Sequence, residues 1–430
     1  MRTLFLSGCA FGCTGGGQRP PQLALAAARA GEGVAYYSGV DKEDATVAGV
    51  EIYHDWDAVV NWALFGDPGW VVCCLAKYWP KAQELQKHGW RVAYDCLDNW
   101  DAFERHGDLT GAGLTHEREL LDSAQVVTAS APALVARCGR LGRPDAHLVL
   151  QGGPSQPVPR KEAGGGLPQA IFVGSMWGSW IDWELMKLVG ESKRLRTTII
   201  GGAQEGVDVP GAVMLGEIQR EEAIRYISAA DVGIIPFRHR DICAGVDPVK
   251  VWEYAAAGLW TVATPEMEAL ADRDYVVLAG RGEFVEACLW AAAYRRIDPP
   301  SEAFVRSNSW DVRWQQVRGI LEGAPAVLAP AATVKRKLTV HVSPESPLGD
   351  ATWVKALRHL DRTHGPLDLR VGGEVLCPEG DCKAGFRSIY VDERGGVHRC
   401  ERCPETLGTI MWPHLPGLLG KATPCDRRRA

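Results

Sequence analysis

Gly245–Pro265 reads GVDPVKVWEYAAAGLWTVATP, a polar start running into small and β-branched residues. Asp247, Lys250 and Glu253 stand three apart, so a helix through them shows all three on roughly one face. Ala255, Ala256, Ala257 and Gly258 allow close packing, and Gly258 suits a helix C-cap. Thr261-Val262-Ala263 follows as a short buried strand. A helix that starts polar and feeds a buried strand is α/β architecture. The beginnings of such helices are where phosphates and ribose hydroxyls are often held.

The same signature recurs on the N-terminal side. AIFVGS, RTTIIGG, VMLGE and DVGIIPF read as strands, with WIDWELMKLVGES and REEAIRYISAA as helices between them. Earlier still, RTLFLSG, GVAYYSG, WVVCCLA, RVAYDCLD and AQVVTAS are strand-like, PPQLALAAARAG and ERELLDSA are helical, and LVLQGG closes the series. Short buried strands separated by helices imply parallel sheets covered on both faces. Residues 152–169 are rich in Gly and Pro without apolar period, which reads as a hinge. The sequence therefore predicts two doubly wound, Rossmann-like α/β domains, 1–152 and 170–322, with ligands in the cleft between them. A second linker, Ala/Pro-rich and basic at its end, covers 323–337. Beyond it KLTVHVSP reads as a strand and ATWVKALRHLDRTHG as a helix, opening a small cysteine-rich domain, 338–430.

Composition narrows the function classes. The 430 residues are 46% hydrophobic and 23% charged, normal for a soluble globular chain. A net charge of -6 argues against a general nucleic-acid binder. No run of about eighteen apolar residues predicts a membrane span. MRTLFLSGCAFGC reads as a strand entering a loop rather than a signal peptide, so a cytoplasmic protein is expected. Peripheral membrane contact stays open, though no amphipathic basic helix stands out.

Four stretches at strand ends carry candidate chemistry. In CTGGGQRPPQLALAAARAG, glycines ahead of a helix leave free amides that hold an anion or a hydroxyl, or form a turn without a ligand. In RVAYDCLDNWDAF, Asp95, Asp98 and Asp101 follow a strand, where carboxylates bind sugar hydroxyls, act as a base or cap turns. Gly174-Ser175, Gly201-Gly202 and Leu215-Gly216-Glu217-Ile218 are strand-end loops of the second domain. In DVGIIPFRHRDICAGVDPVKVWEYAAAG, Arg238 and Lys250 suit a pyrophosphate and Glu253 the ribose hydroxyls; the alternative is a solvated salt-bridge network. Trp177, Trp180 and Trp183 recur every three residues, to stack on a ligand or to pack between domains.

The order of these motifs resembles the GT-B glycosyltransferases of the group 1, family 4-like type. The matching residues are Gln18-Arg19-Pro20 with GEGVAYY, then YDCLDNW at 94–100, then Pro248-Val249-Lys250-Val251-Trp252-Glu253-Tyr254, with further likeness in FVGSMWGSWIDWELM and AADVGIIPF. The resemblance spans about 1–322. It implies a nucleoside diphosphate sugar held mainly by the second domain, an acceptor held mainly by the first, and catalysis without a divalent metal. Glu253 would bind the ribose, and Gly16, Gly17 and Gly174 would approach the donor. Lys250 and Arg238 are the pyrophosphate candidates, and Asp95 and Asp98 the catalytic ones. Two departures stand out: Gly245 occupies the position where many retaining relatives carry a Glu, and the usual Arg/Lys after the second domain's first strand is missing. The fold also accommodates sugar-nucleotide epimerases, and a chain that only binds a nucleotide or partner.

Thirteen cysteines are unevenly spread. Eight are scattered through the first 376 residues, mostly in apolar surroundings, as reduced core thiols. Cys377, Cys382, Cys400, Cys403 and Cys425 crowd the tail. Close cysteines flanking IYVDERGGVHRC, a plausible hairpin, suit a thiolate metal site. Cys382 to Cys425 resembles the auxiliary-cluster (SPASM or twitch) domain of radical SAM enzymes, although the core motif of those enzymes is missing from the chain. Cys382, Cys400, Cys403 and Cys425 are the expected ligands, with Cys377 as alternate, for an iron–sulfur cluster or zinc; unliganded cysteines are the third reading.

Overall fold

The structure, a computed structural model, describes the chain except for 13–16, 109–114, 159–165, 177, 203–205, 294–301, 324–337, 343–366, 372–387, 392–395, 399–405 and 410–430. The chain divides into two compact units, Met1–Leu270 with Val276–Val327, and Ala271–Tyr275 with Leu328–Ala430.

The first half of the larger unit alternates as the sequence predicts. Its elements begin with β1 (Arg2–Leu6), α1 (Arg19–Arg29), β2 (Gly33–Tyr37), β3 (Ala45–Val47), β4 (Val50–Tyr53), α2 (Trp56–Leu64) and β5 (Trp70–Cys73). They continue with α3 (Trp79–Gln86), β6 (Arg91–Cys96), α4 (Trp100–Arg105), α5 (Glu117–Ser123), β7 (Val126–Ala129), α6 (Pro132–Arg140) and β8 (His147–Leu148). The strands form one sheet in the order β3-β4-β2-β1-β5-β6-β7-β8. Every pairing is parallel except β3 with β4. The β3–β4 hairpin at the edge was not read from the sequence; β3 is fully exposed and lacks an apolar run.

The second half starts with β9 (Gln169–Val173), α7 (Trp183–Gly190), β10 (Arg196–Ile200), β11 (Ala212–Met214), α8 (Arg220–Ala229) and β12 (Val232–Ile235). There follow α9 (Arg240–Cys243), α10 (Val249–Ala256), β13 (Trp260–Ala263), β14 (Val276–Leu278), α11 (Phe284–Ala293), α12 (Glu302–Ser307) and α13 (Trp310–Leu321). Its sheet is wholly parallel, in the order β11-β10-β9-β12-β13-β14. Gly258 follows α10 with φ +72, a left-handed position that suits the residue capping this helix.

The last helix departs from the expected boundary at 322. Trp310, Trp314, Val317, Ile320 and Leu321 of α13 join the core formed by Phe5, Leu23, Ala24, Val34 and Trp70 of the first half. The Trp314 indole donates to Glu32 Oε1 at 3.1 Å, and Arg29 Nη2 meets Asp311 Oδ1 at 2.6 Å. The helix returns because two large aromatic faces at positions 310 and 314 find apolar cover there, each worth several kcal/mol when buried. This return also fixes residues 151–153, at the start of the Gly/Pro-rich stretch. Gly153 pairs with Asn308 and Trp310 through backbone bonds of 2.9 and 3.1 Å, and Arg313 Nε donates to Gln151 O at 2.8 Å.

In the smaller unit β15 (Leu338–Val342), β16 (Leu367–Val371), β17 (Ser388–Val391), β18 (Gly396–His398) and β19 (Thr406–Thr409) form a sheet in the order β16-β15-β17-β18-β19. The predicted hairpin is present as the antiparallel pair β17–β18. The five tail cysteines lie outside the described residues, as does the helix read at ATWVKALRHLDRTHG. Among the described residues Cys73, Cys74, Cys96, Cys138, Cys243 and Cys288 are buried and unbridged, as the thiol reading expects, and Cys9 is partly exposed; Cys13 lies outside them.

Candidate functional site

A cavity of about 730 Å³ opens between the two halves of the larger unit. Its wall comes from the segments after β1, β5 and β6 on one side and from the ends of β9 and β12 with the start of α10 on the other. Parallel strands leave their carboxyl ends free of crossovers there, so this is the place a doubly wound fold offers a ligand. Gly17, Asp98, Gly174, Lys250 and Glu253 all line it. Gly16 lies outside the described residues.

Asp98 stands on the first-half wall. Among the described residues its carboxylate has no hydrogen-bond partner, and burial pushes its pKa up to about 7. Asp95, only three residues earlier, is placed differently. It is 1% exposed, and Arg19 holds it through Nε to Oδ2 at 2.8 Å and Nη2 to Oδ1 at 3.0 Å. The Thr128 hydroxyl donates to Oδ1 at 2.7 Å, while Arg19 Nη1 reaches Leu150 O at 3.0 Å. Asp95, expected among the catalytic carboxylates, is thus held in a buried ion pair and does not line the cavity. A carboxylate on the strand β6 points into the sheet's cover, and this one fastens the start of α1 to β6. Asp101 is likewise engaged, by Arg137 at 2.6 Å.

The second-half wall is cationic. Lys250 Nζ lies 4.5 Å and 4.7 Å from the ring centroids of Phe172 and Phe237. Desolvation between these rings lowers its pKa to about 7, with nearby Glu253 acting in the opposite direction. Gly174 has φ +145, a backbone conformation that favours glycine, and a Cβ there would lie 2.7 Å from that nitrogen. Pro248 begins α10 without a side-chain cap, leaving the positive end of the helix dipole at the cavity. All three polar residues in the helix reading line the cavity. Asp247 precedes α10 and serves as a tether, accepting the Gln151 amide at 2.8 Å and the Trp252 indole at 3.2 Å.

Arg238, the other expected pyrophosphate candidate, is placed elsewhere. It is not among the residues of the cavity wall. The antiparallel bridge between Ile181 and Phe237 turns the chain after β12, and Arg238 donates to the carbonyl of Ser179 instead. The second cation on this wall is Arg220 on α8, which the sequence reading passed over. Its Nη2 donates to Glu253 Oε1 at 2.9 Å, and its Nε is buried with no partner among the described residues. The signal was in REEAIRYI: Arg220, Ala223, Ile224 and Ile227 follow helical spacing, and all four line the cavity. Trp100 Nε1 and Gln151 Oε1, on two further wall residues, also lack partners among the described residues. Buried polar atoms are rarely left unpaired without a ligand or water to meet them.

Beside the cavity the halves touch through α4 and the loop after it. Phe103 meets Trp180 edge-on at 5.1 Å, so Trp180 packs between the halves; Trp177 lies outside the described residues. Ser179 donates to Asp108 from its hydroxyl at 2.6 Å, and Arg105 Nη2 meets Asp241 Oδ2 at 2.8 Å. At Gly245 a Cβ would lie 3.0 Å from Asn99 Cβ.

Solved structures give the architecture a context. The chain is similar to sucrose-phosphate synthase from Thermosynechococcus elongatus, at 14% identity and TM-score 0.56, over 75% of this chain and 98% of that one. It is similar to HepE of Anabaena in complex with UDP-glucose, at 13% identity and TM-score 0.53, over 75% and 100%. It is also similar to a trehalose-6-phosphate synthase studied for glycosyl transfer with retention, at 13% identity and TM-score 0.53, over 76% and 100%. These neighbours are glycosyltransferases of the GT-B fold, and the present chain has that two-domain architecture. No family model matches the chain, and no curated protein matches it. Among the described residues, no helix is long and apolar enough to cross a membrane, and no group of three or more His, Cys, Asp or Glu is placed to hold a metal ion.

Proposed function

We propose that the protein is a glycosyltransferase that binds a nucleoside diphosphate sugar on the second half and transfers the sugar to an acceptor on the first. One observation carries the proposal: a single cavity sets an unengaged carboxylate, Asp98, against a wall holding Lys250, Arg220, Glu253 and the uncapped start of α10. Lys250 and the helix amides would neutralise the diphosphate. Glu253, oriented through Oε1 by Arg220, keeps Oε2 for a ribose hydroxyl. The leaving diphosphate is stabilised by these groups, so sugar transfer is proposed to proceed without a divalent metal. That HepE was solved with UDP-glucose makes UDP the first nucleotide to try.

The test is a thermal-shift panel of UDP, GDP, dTDP, CDP and ADP on the wild type and on Glu253→Ala. A nucleotide at 100 times its dissociation constant adds about 2.7 kcal/mol, and the gain should vanish in the variant. Because the free Lys250 amine titrates near pH 7, the shift should also shrink as pH rises through 7, where binding must first recharge it. No stabilisation by any of the five would remove the donor assignment.

The tail remains a separate proposal, a thiolate site at Cys382, Cys400, Cys403 and Cys425 for an iron–sulfur cluster or zinc. Purified full-length chain is expected to carry bound metal by elemental analysis and to lose it in Cys400→Ser with Cys403→Ser. Metal content at background in the wild type would dismiss the site.

A further inference from the structure

Three polar atoms on the cavity wall are buried with no partner among the described residues: Trp100 Nε1, Arg220 Nε and Gln151 Oε1. The first two donate, so phosphate oxygens or a hydroxyl can meet them. Gln151 Oε1 accepts, and an ionised diphosphate, which offers only acceptors, cannot satisfy it. An acceptor kept from water without a partner is costly, and native structures rarely carry one that no ligand or water meets.

The fold fixes the backbone that carries this side chain. Gln151 lies between β8 and the Gly/Pro-rich stretch and is 8% exposed. Its amide donates to Asp247 Oδ2 at 2.8 Å, and its carbonyl accepts from Arg313 Nε at 2.8 Å. Leu150, the residue before it, accepts from Arg19 Nη1 at 3.0 Å. These bonds fasten the segment to the start of α1 in the first half, to the residue two ahead of α10 in the second, and to α13. A buried carboxamide on so constrained a backbone is preorganised for a partner.

Resting on the donor reading above, we propose that Gln151 is a specificity residue whose side-chain carbonyl accepts a hydrogen bond from a hydroxyl of the transferred sugar. The partner has to be a donor. In that reading the ribose hydroxyls fall to Glu253, and the diphosphate lies against the start of α10, to which Asp247 ties Gln151. The polyol bonded to that diphosphate is the sugar. A neutral carboxamide suits the place, because it accepts from a hydroxyl without setting a second negative charge beside the phosphates.

The probes are the nucleoside diphosphate of the five that stabilises the wild type and the glucose ester of that same diphosphate. Each is titrated calorimetrically into the full chain and into Gln151→Met, which keeps the side-chain length and removes the acceptor. The free variant should melt no lower than the wild type, since it no longer buries an unpaired oxygen. It should bind the diphosphate as the wild type does and the glucose ester about 10-fold more weakly. Equal weakening of both ligands puts the contact on the nucleotide and overturns the proposal. Unchanged affinity for both does the same, the carbonyl then being met by water alone. If Gln151→Met does not fold, Gln151→Ala takes its place and is read by the same comparison. Stabilisation by none of the five diphosphates instead removes the donor reading, and the inference falls with it.

Discussion

Asp95→Ala should melt well below the wild type, because it strands the guanidinium of Arg19 in the core. Both partners are 1% exposed, and the pair is bidentate at 2.8 and 3.0 Å. Removing one member of a buried ion pair costs about 3–5 kcal/mol, since the remaining charge has lost its partner and cannot reach water. At roughly 2–4 °C per kcal/mol for domains of 150–250 residues, the melting temperature should fall by on the order of 10 °C. The double variant Arg19→Met with Asp95→Leu should recover much of that loss, because it removes the stranded charge as well. A thermal melt of the three proteins decides the matter. If Asp95→Ala melts like the wild type but no longer turns over, the residue acts in catalysis and its structural assignment is wrong.

Asp98→Asn should behave in the opposite manner, losing turnover without losing stability. Removal of a general base lowers rate by about 10²–10⁴. Stability follows from the raised pKa. The folded carboxyl titrates near 7, whereas its ordinary value is 3.8, so between those values the folded state holds more protons than the unfolded. Stability therefore declines as pH rises across that window, and above pH 7 the full penalty of the buried charge is present. Asparagine carries no such charge. Relative to the wild type, the variant should gain stability from pH 4 to 7 and hold the gain above it. Each pKa unit corresponds to about 1.4 kcal/mol; discounted for the partial exposure of the side chain, the gain is on the order of 2 kcal/mol. At saturating donor, where the Lys250 ionisation no longer limits binding, wild-type turnover should rise with pH through 7 on the same ionisation. A variant that melts lower than the wild type at pH 8 would show that Asp98 has a structural partner.

The contrast between these two aspartates shows how far sequence reasoning reaches. Both stand in YDCLDNW, both follow a strand, and both have the residue type that acid–base chemistry requires. Nothing local separates them, because the partner that neutralises Asp95 is Arg19, 76 positions away. The same holds for Arg238 and Arg220. Each is a cation near a strand or helix start, but the bridge from Ile181 to Phe237 turns one away from the cavity, and only the packing of α8 brings the other to Glu253.

What the chain order decided by itself was the alternation of strands and helices, the two doubly wound halves, the helix α10 that ends at Gly258 and the pairing of β17 with β18. These depend on hydrophobic period, glycine position and short-range turn chemistry, all of which act over a few residues. The tertiary structure alone decided that α13 returns to the first core, that Asp247 ties Gln151 to Trp252, and that the Asp98 carboxylate lines the cavity without a hydrogen-bond partner among the described residues. Those outcomes come from burial and pairing between residues distant in the chain. The energy of a charge depends on which opposite charge the fold places beside it and how much water it leaves, and neither is written in the neighbouring residues.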